Sequence, residues 1–508
     1  MSAGGKVLGM EEFGRKAAEL KAQGRSVVLC HGTFDLMHTG HIRHLQRARQ
    51  EGDALFVSLT GDKFVNKGPG RPVFGEDLRA ESLAALGCVD FVAVNQDYTA
   101  LIPIETVKPD VYVKGSDYQT HKDDVTGNIV REIRATEANG GRVFYTNEIT
   151  FSSSSLLNEH FGVFPPETKE YLGRFGQQHS EKAVFSALGN LRKLRVLVFG
   201  DAIVDQYHYV SPLGQTGKGN ILAVRYDSEE QFAGGSLAVA NHLASFVDEV
   251  VLMTGIGERD SHEEFIRSKL KSNVKPQFFR LPNAPTVVKR RFVDADLAKF
   301  FEVYFYREDI QDAGLDKAVC GALEKQLPGF DVAIVPDFGN GFISQPMVDT
   351  LCRHARFLAV NTQVNSGNRG YHVINRYPRA NFVSLNEPEL RLAAHNRHAP
   401  VEAVAEEVAA RTGADYLAVT RGSKGVLMLD RHRKVFHSVP ALSTKVVDRI
   451  GAGDAFLSLA GLCLGGELPS EVAAFVGSAA AAIDVQIVCN REPIEQSMLL
   501  KYVTTLLK

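Results

Sequence analysis

The sequence predicts an α/β protein built from two doubly wound units, and three observations point there. Short β-type runs alternate with helical patterning from Ser26 to about Asn147, and a second alternating series begins at Arg195. Between the series, Pro165-Pro166 leads into charged helical sequence that marks a boundary. A length of 508 residues exceeds one ordinary core and suits two. An apolar fraction of 44% beside 23% charged residues is that of a globular chain and excludes a disordered one.

In the first series the runs are Ser26 to Cys30, Ala54 to Thr60, Asp90 to Asn95, Val111 to Lys114 and Val143 to Asn147. Helical patterning fills most of the gaps; between His41 and Ala48, the apolar Ile42, Leu45 and Ala48 recur every third residue. Strands separated by helices predict a parallel sheet covered on both faces. The second series comprises Arg195 to Gly200, Val250 to Gly255, Val332 to Pro336, Phe357 to Asn361, Phe382 to Asn386, Tyr416 to Thr420 and Val426 to Leu429. The expected division is 1–165, a helical connector over 166–189, and 190–508.

Charge and cysteine content narrow the function. A formal charge of −3 gives no basic excess for nucleic acid or an anionic membrane. The six cysteines are scattered without a C-x-x-C pair, which predicts free thiols in a reducing compartment. The first ten residues lack an apolar signal core, and no apolar run approaches the roughly 20 residues of a membrane span, so the cytoplasm is the expected location.

The densest chemical signal is the string from Cys30 to His41, which follows a strand and opens a helix. Open α/β sheets bind ligands at such carboxyl ends, where helix N-terminal amides face an anion. Gly32 and Gly40 admit backbone close to a phosphate, and His38 and His41, three apart, point from one helical turn toward the same oxygen. Imidazole donors placed so stabilise charge on a transferring phosphoryl group without a covalent intermediate. A lone histidine there would more often cap a helix or fill a core.

The string matches G-x-F-D-x-x-H-x-G-H at Gly32, Phe34, Asp35, His38, Gly40 and His41, and so resembles the cytidylyltransferase-like family. The likeness continues through Thr60-Gly-Asp62, Lys67, Arg71-Pro72, Arg79 and Val113-Lys-Gly-Ser-Asp-Tyr118 to Ser152-Ser-Ser-Ser155. It implies a Rossmann-like nucleotidyltransferase in which His38 and His41 hold the nucleotide phosphates beside Gly32, Thr33, Phe34 and Gly40. Lys67 and Arg79 would neutralise phosphate charge, the blander reading being solvated surface cations. Ser153, Ser154 and Ser155 fall where the family meets the triphosphate, although the family usually has threonines in that run. The nucleotide would be ATP, with CTP as the alternative.

Near the other end, Val447 to Phe456 precedes the apolar stretch Leu457 to Leu464. Gly451, Ala452 and Gly453 open a helix and expose amides to the anion that forms as a γ-phosphoryl group moves, and Asp454 stands beside them as a base for a sugar hydroxyl. This D-x-x-G-A-G-D stretch resembles the ribokinase-like (phosphofructokinase-B) family, with Asp448 and Asp454 at its acidic positions. Further landmarks follow in family order: Gly200-Asp201 with Asp205, Gly234-Gly235 with Asn241, Asn386-Glu-Pro-Glu389, and Thr420-Arg-Gly-Ser-Lys-Gly425.

That resemblance implies a ribokinase-like fold in which Asp205, Gly234, Gly235 and Asn241 bind sugar, Thr420, Gly422 and Gly425 border ATP, and Asn386 and Glu389 help place Mg²⁺. Asn386 as a plain helix cap and Asp205 as a turn residue are the bland alternatives. The segments Gln206 to Leu213 and Ile221 to Tyr226 look like the family's small β-lid, whose strands often pair between subunits, and so imply a homodimer. In the strand-like run Lys289-Arg-Arg291, alternation puts Lys289 and Arg291 on one face, fit either for a phosphate already on the sugar or for solvent.

Both halves together resemble the bifunctional heptose-phosphate kinase/adenylyltransferases of lipopolysaccharide inner-core synthesis, with the domain order reversed. The implied substrates are a sugar or sugar phosphate and a nucleoside triphosphate, the implied products a sugar 1-phosphate and then an NDP-sugar with pyrophosphate. Thr216-Gly-Lys-Gly-Asn220 and Arg291 to Glu302 depart from the heptose enzymes in the elements expected to touch sugar. Two other readings stay open: a polyol-phosphate cytidylyltransferase fused to an unrelated sugar kinase, or one half serving only dimerisation or ligand sensing.

Overall fold

A computed structural model describes residues 5–65, 71–115, 128–146, 164–217, 219–308, 310, 312–365 and 367–507. Lys67, Ser153, Ser154 and Ser155 lie outside the described residues. The chain divides into two compact units, Met1–Pro165 with Leu500–Lys508, and Pro166–Leu499.

The first unit holds β1 (Val27–Gly32), β2 (Ala54–Thr60), β3 (Phe91–Asn95), β4 (Val111–Gly115) and β5 (Arg142–Thr146) in a sheet of order β3-β2-β1-β4-β5, with every pair parallel. The first four residues of β1 alternate between two cores. Val28 and Cys30 join Leu45 and Ala48 of the helix Thr39–Arg49 on one face. Val27 and Leu29 meet Phe13 of the helix Met10–Ala22 and Ile104 of the helix Leu101–Val107 on the other. Burial on both faces explains why these strands read as continuous apolar runs. The strand order reverses between β1 and β4, which opens the crevice into which the His31–His41 loop emerges.

The second unit is organised by β6 (Val196–Gln215), a strand that serves two sheets. Its start lies between β8 (Val250–Arg259) and β12 (Val332–Asp337), parallel to both. The central sheet extends on one side to β9 (Val274–Pro285), and on the other through β13 (Leu358–Thr362), β14 (Phe382–Asn386) and β15 (Tyr416–Thr420) to the antiparallel β16 (Val426–Asp430) and β17 (Val435–Val439). From Ala202 onward β6 pairs antiparallel with β7 (Leu222–Gly235), while Ile203 to Tyr209 run parallel to β10 (Val287–Val293). β10 in turn pairs with β11 (Lys299–Phe305). These four strands form the lid, so β10 and β11 join the two segments the sequence pointed to. The helices Pro166–Gln178 and Glu181–Asn190 belong to this unit, where Phe175 stacks on Phe475 with ring centroids 4.1 Å apart.

Candidate active sites

In the first unit His38 is the N-cap of the helix Thr39–Arg49, its Nδ1 accepting from the Gly40 amide at 3.1 Å. Its ring stacks on His41 with centroids 3.9 Å apart, and His41 meets the Phe34 ring edge-on at 5.5 Å. Phe34 adopts a left-handed φ of 49°, which folds its ring back under the turn; a Cβ at Gly32 would stand 3.2 Å from that ring. The two imidazoles therefore share one helical turn at the open end of β1, the arrangement their spacing suggested.

Asp35 holds this loop against the segment that follows Arg71. Its carboxylate accepts the amides of Val73 at 2.6 Å and Phe74 at 3.3 Å, with Arg71 at 3.6 Å. Arg79, expected at a phosphate, is turned inward and 1% exposed. Its guanidinium donates to the carbonyls of Thr33 at 2.6 Å, Thr60 at 2.9 Å and Phe74 at 2.9 Å, and to Asp62. The structure thus corrects that expectation: Arg79 fixes the backbone carrying Thr33, because three loop carbonyls converge on its planar fork.

Lys114, one residue before the end of β4, places its ammonium 2.9 Å from Glu132, which also accepts from Tyr112 Oη at 3.0 Å and the Ala100 amide at 3.1 Å. Burial pushes the Glu132 carboxyl up, but Lys114, joined by His31 and the Ala100 amide, brings the net direction down. Burial, reinforced by Lys114, drives His31 down to about 3 and His44 down to about 4. Their Nδ1 atoms lie 2.9 Å from Ser58 Oγ and 2.7 Å from Thr146 Oγ1. Both imidazoles are therefore neutral at physiological pH. Sequence reasoning passed over Lys114 and Glu132; Lys114 stood inside a quoted motif, whereas Glu132 carried no local signal.

In the second unit Gly451 caps the helix Ala452–Gly465 at a φ of 104°. A Cβ there would fall 2.6 Å from both Asp484 Oδ2 and Asn490 Oδ1, so only glycine fits. Nothing stands within 4 Å of a Cβ at Gly453, so the cradle faces open space. Asp454 sits in the first turn, half-buried and still reachable from the cleft. Burial first, then Asp205, raise its carboxyl to about 7, against the pull of Lys289.

The lid brings the expected sugar ligands to this place. Lys289 lies opposite Asp205 in the β6–β10 register, and Arg291 opposite Tyr207. Both point inward, while Arg290 faces the other way and donates to Gln206 at 2.9 Å. Arg291 donates to Asp205 and stands 3.6 Å from Glu302, so its charge is already matched. The Lys289 ammonium is 5.2 Å from the Phe338 ring centroid and feels Asp205, Asp201 and Asp454; burial nevertheless lowers its pKa. A Cβ at Gly234 would collide with Asp205 Oδ2 at 2.0 Å, and Gly235 has a φ of 62°. Asn241 is not brought in: its amide staples Lys269 O at 2.9 Å and the Lys271 amide at 3.0 Å. The correction follows from its place on the helix Ser236–Ala244, whose contacts with the 269–271 turn use the whole side chain.

Asp201, named as a landmark but not as a ligand, is 2% exposed and pushed up to about 6, by burial and then Asp337. Asp337 is itself held by His372 at 3.1 Å, Arg376 at 3.1 Å and Tyr377 Oη at 2.7 Å. Asn386 and Glu389 form a reciprocal cap: Asn386 Oδ1 accepts the Glu389 amide at 2.8 Å and Glu389 accepts the Asn386 amide at 3.0 Å. Glu389 also takes the Val364 amide at 3.1 Å and is raised by burial. Each of its oxygens keeps a lone pair, which suits the water shell of Mg²⁺. Thr420 ends β15, and Gly422 and Gly425 turn the chain at φ values of 58° and 74°; a Cβ on Gly425 would sit 2.0 Å from Val439 O.

The family model described as pfkB family carbohydrate kinase matches residues 193–495, and the one described as Cytidylyltransferase-like matches residues 29–159. The chain is 46% identical over 129 residues to "Bifunctional protein HldE" of Geobacter sulfurreducens, and 40% identical over 156 residues to the protein of that name from Azotobacter vinelandii. These stretches are 25% and 30% of this chain, and 25% and 31% of those relatives' own length. Among solved structures, the ribokinase of Thermotoga maritima aligns with a TM-score of 0.50 and 18% identity over 61% of this chain and 99% of that one. The tetrameric inhibited form of Escherichia coli phosphofructokinase-2 aligns with a TM-score of 0.50 and 15% identity, over 62% and 100%. At that identity the likeness is one of fold. No described helix is long and apolar enough to cross a membrane.

Proposed function

Since the chain belongs to the pfkB family of carbohydrate kinases, we propose that its second unit transfers the γ-phosphoryl group of ATP to a sugar or sugar phosphate at the anomeric hydroxyl. The first unit then transfers a nucleotidyl group, AMP from ATP in preference to CMP from CTP, to the oxygen of a sugar 1-phosphate, which gives an NDP-sugar and releases pyrophosphate. The domain assignment is 1–165 to nucleotidyl transfer and 190–508 to the kinase. Asp454 carries this reading: an accessible carboxylate raised to about 7, at a helix start whose glycines leave room for phosphate, can take the proton of an attacking hydroxyl.

Each other group has a defined task. Asp205 and Asp201 accept sugar hydroxyls, Lys289 balances the carboxylates around the reacting oxygen, and Thr420, Gly422 and Gly425 border ATP. Bound Mg²⁺ would supply charge neutralisation between the ATP phosphates, with Glu389 holding its water shell. In the first unit His38, His41 and the amides of the turn from Gly32 to Gly40 hold the α-phosphate. No base is required there, because a sugar phosphate is already ionised when it attacks. A heptose or its phosphate is the substrate favoured by the relatives' resemblance, and the exposed apolar side chains of the lid, Leu213, Ile221 and Tyr226, support a homodimer.

The test is to supply the full chain with ATP or CTP, Mg²⁺ and a panel of aldoses, heptoses and their phosphates, while following ADP and pyrophosphate separately. Both products are expected. Pyrophosphate without ADP for any sugar would refute the kinase assignment, and ADP alone would refute the other.

A further inference from the structure

Asp448 opens the D-x-x-G-A-G-D stretch yet lies six residues before Asp454, so its carboxylate is not the base. Its surroundings give it another role. Oδ1 accepts the amides of Arg449 at 2.8 Å and Ile450 at 3.2 Å, the two residues that lead into Gly451. Oδ2 accepts the Cys489 amide at 3.2 Å from the loop behind the cradle. From the lid, Tyr207 of β6 donates its hydroxyl to Oδ2 at 2.6 Å, and Lys299, the first residue of β11, places its ammonium 3.3 Å from Oδ1. A second link runs alongside: Arg491 donates twice to Glu230 of β7, which Tyr209 also reaches at 3.2 Å.

We propose that Asp448 is a positioning residue that transmits the state of the lid to the phosphate cradle, with Lys299 and Tyr207 as its lid-side contacts. One carboxylate orders the backbone entering Gly451 and, through the same two oxygens, grips two lid strands. Its amide and hydroxyl donors orient it, and Lys299 is the cationic partner that balances its charge. When β11 stands over the cleft, Lys299 matches the buried charge of Asp448 and the carboxylate keeps Arg449 and Ile450 in the conformation that aims the Gly451 turn. When β11 lifts, the 5% exposed carboxylate loses its ammonium and gains water, and the cradle loosens. Phosphoryl transfer is thereby tied to a lid that stands over the cleft with Lys299 on Asp448. Lys299 is about one-third exposed on an edge strand, so its replacement spares the core.

This inference rests on the kinase reading of the cleft, and two measurements separate their fates. Lys299→Met and Tyr207→Phe are made in the full chain. With MgATP and the panel sugar that releases ADP fastest, each variant is expected to lose about tenfold or more in kcat while the KM for ATP stays within about twofold, with Lys299→Arg restoring most of the rate. Without any ligand, hydrogen exchange at the Arg449 and Ile450 amides is expected to quicken about tenfold in the Lys299→Met, Tyr207→Phe double variant, with the β12 amides unchanged. Unaltered exchange at those two amides would overturn the tie. So would a kcat loss that Lys299→Arg fails to rescue. If no sugar yields ADP with the wild-type chain, the kinase reading falls and the exchange result alone decides whether Asp448 links lid and cradle.

Discussion

The two proposed phosphate cradles differ in how their charges are arranged. In the first unit the ionised groups are matched among themselves, Lys114 with Glu132 and Arg79 with Asp62, while the buried histidines beside them are held neutral. In the second, the acids Asp201, Asp205 and Asp454 crowd Lys289, and two of them are raised toward neutrality. The difference follows the proton. A nucleophile that arrives as a phosphate needs only donors, whereas a hydroxyl must surrender a proton to a carboxylate basic enough to take it.

The contrast breaks most decisively at Asp454. Asp454→Asn should lower ADP release by about 10²–10⁴-fold and leave pyrophosphate release intact, read in one assay with both products followed. His41→Ala should do the reverse, costing about 10²–10³-fold in pyrophosphate release at unchanged kinase rate. Glu132→Gln removes the buried counter-charge of Lys114; denaturant titration should show the first unit weakened by about 3 kcal/mol with the second unaffected. Gly425→Ala must leave a positive φ and a 2.0 Å clash with Val439 O, which should destabilise the second unit by about 1–3 kcal/mol and raise the KM for ATP.

The smallest effect concerns pH. Because the folded-state pKa of Asp454 is raised to about 7 from the ordinary carboxylate value of about 3.8, the folded state holds its proton longer than the unfolded chain. Its contribution to stability is present below about pH 4 and is lost as pH rises toward 7. Asp454→Asn should therefore melt about 2–4 °C higher than wild type at pH 8 and at the same temperature at pH 4. The wild-type kinase rate should fall as pH drops below about 7. A flat kinase profile between pH 5.5 and 8 would erase the distinction between the two cradles.

Much of this was written locally. The runs from Ala54 to Thr60 and from Tyr416 to Thr420 coincide with strands because burial on both faces leaves an unbroken apolar signature. His38, His41 and the Gly451–Asp454 turn were legible because helix starts impose short-range spacing. Arg79 and Asn241 were misjudged for one reason: a polar side chain advertises its chemistry but not the direction in which a remote segment will claim it. Thr60 and Lys269 are claimants that no window around those residues reveals. The pairings of Arg291 with Asp205 and of Lys299 with Asp448 join residues 86 and 149 positions apart and emerge only once the strands are laid side by side. β11, rich in aromatic residues yet largely exposed, takes its place only as the antiparallel partner of β10.

β6 has one more consequence. Twenty residues of unbroken strand leave the central sheet near Asp201 and enter the lid by Asp205. The crease of this continuous ribbon falls between those two carboxylates, so they ride on the flexing line itself and the flap has no separate hinge there. Bending of the flap would rotate one acid against the other, so the distance between their carboxylates would register how far the flap has swung.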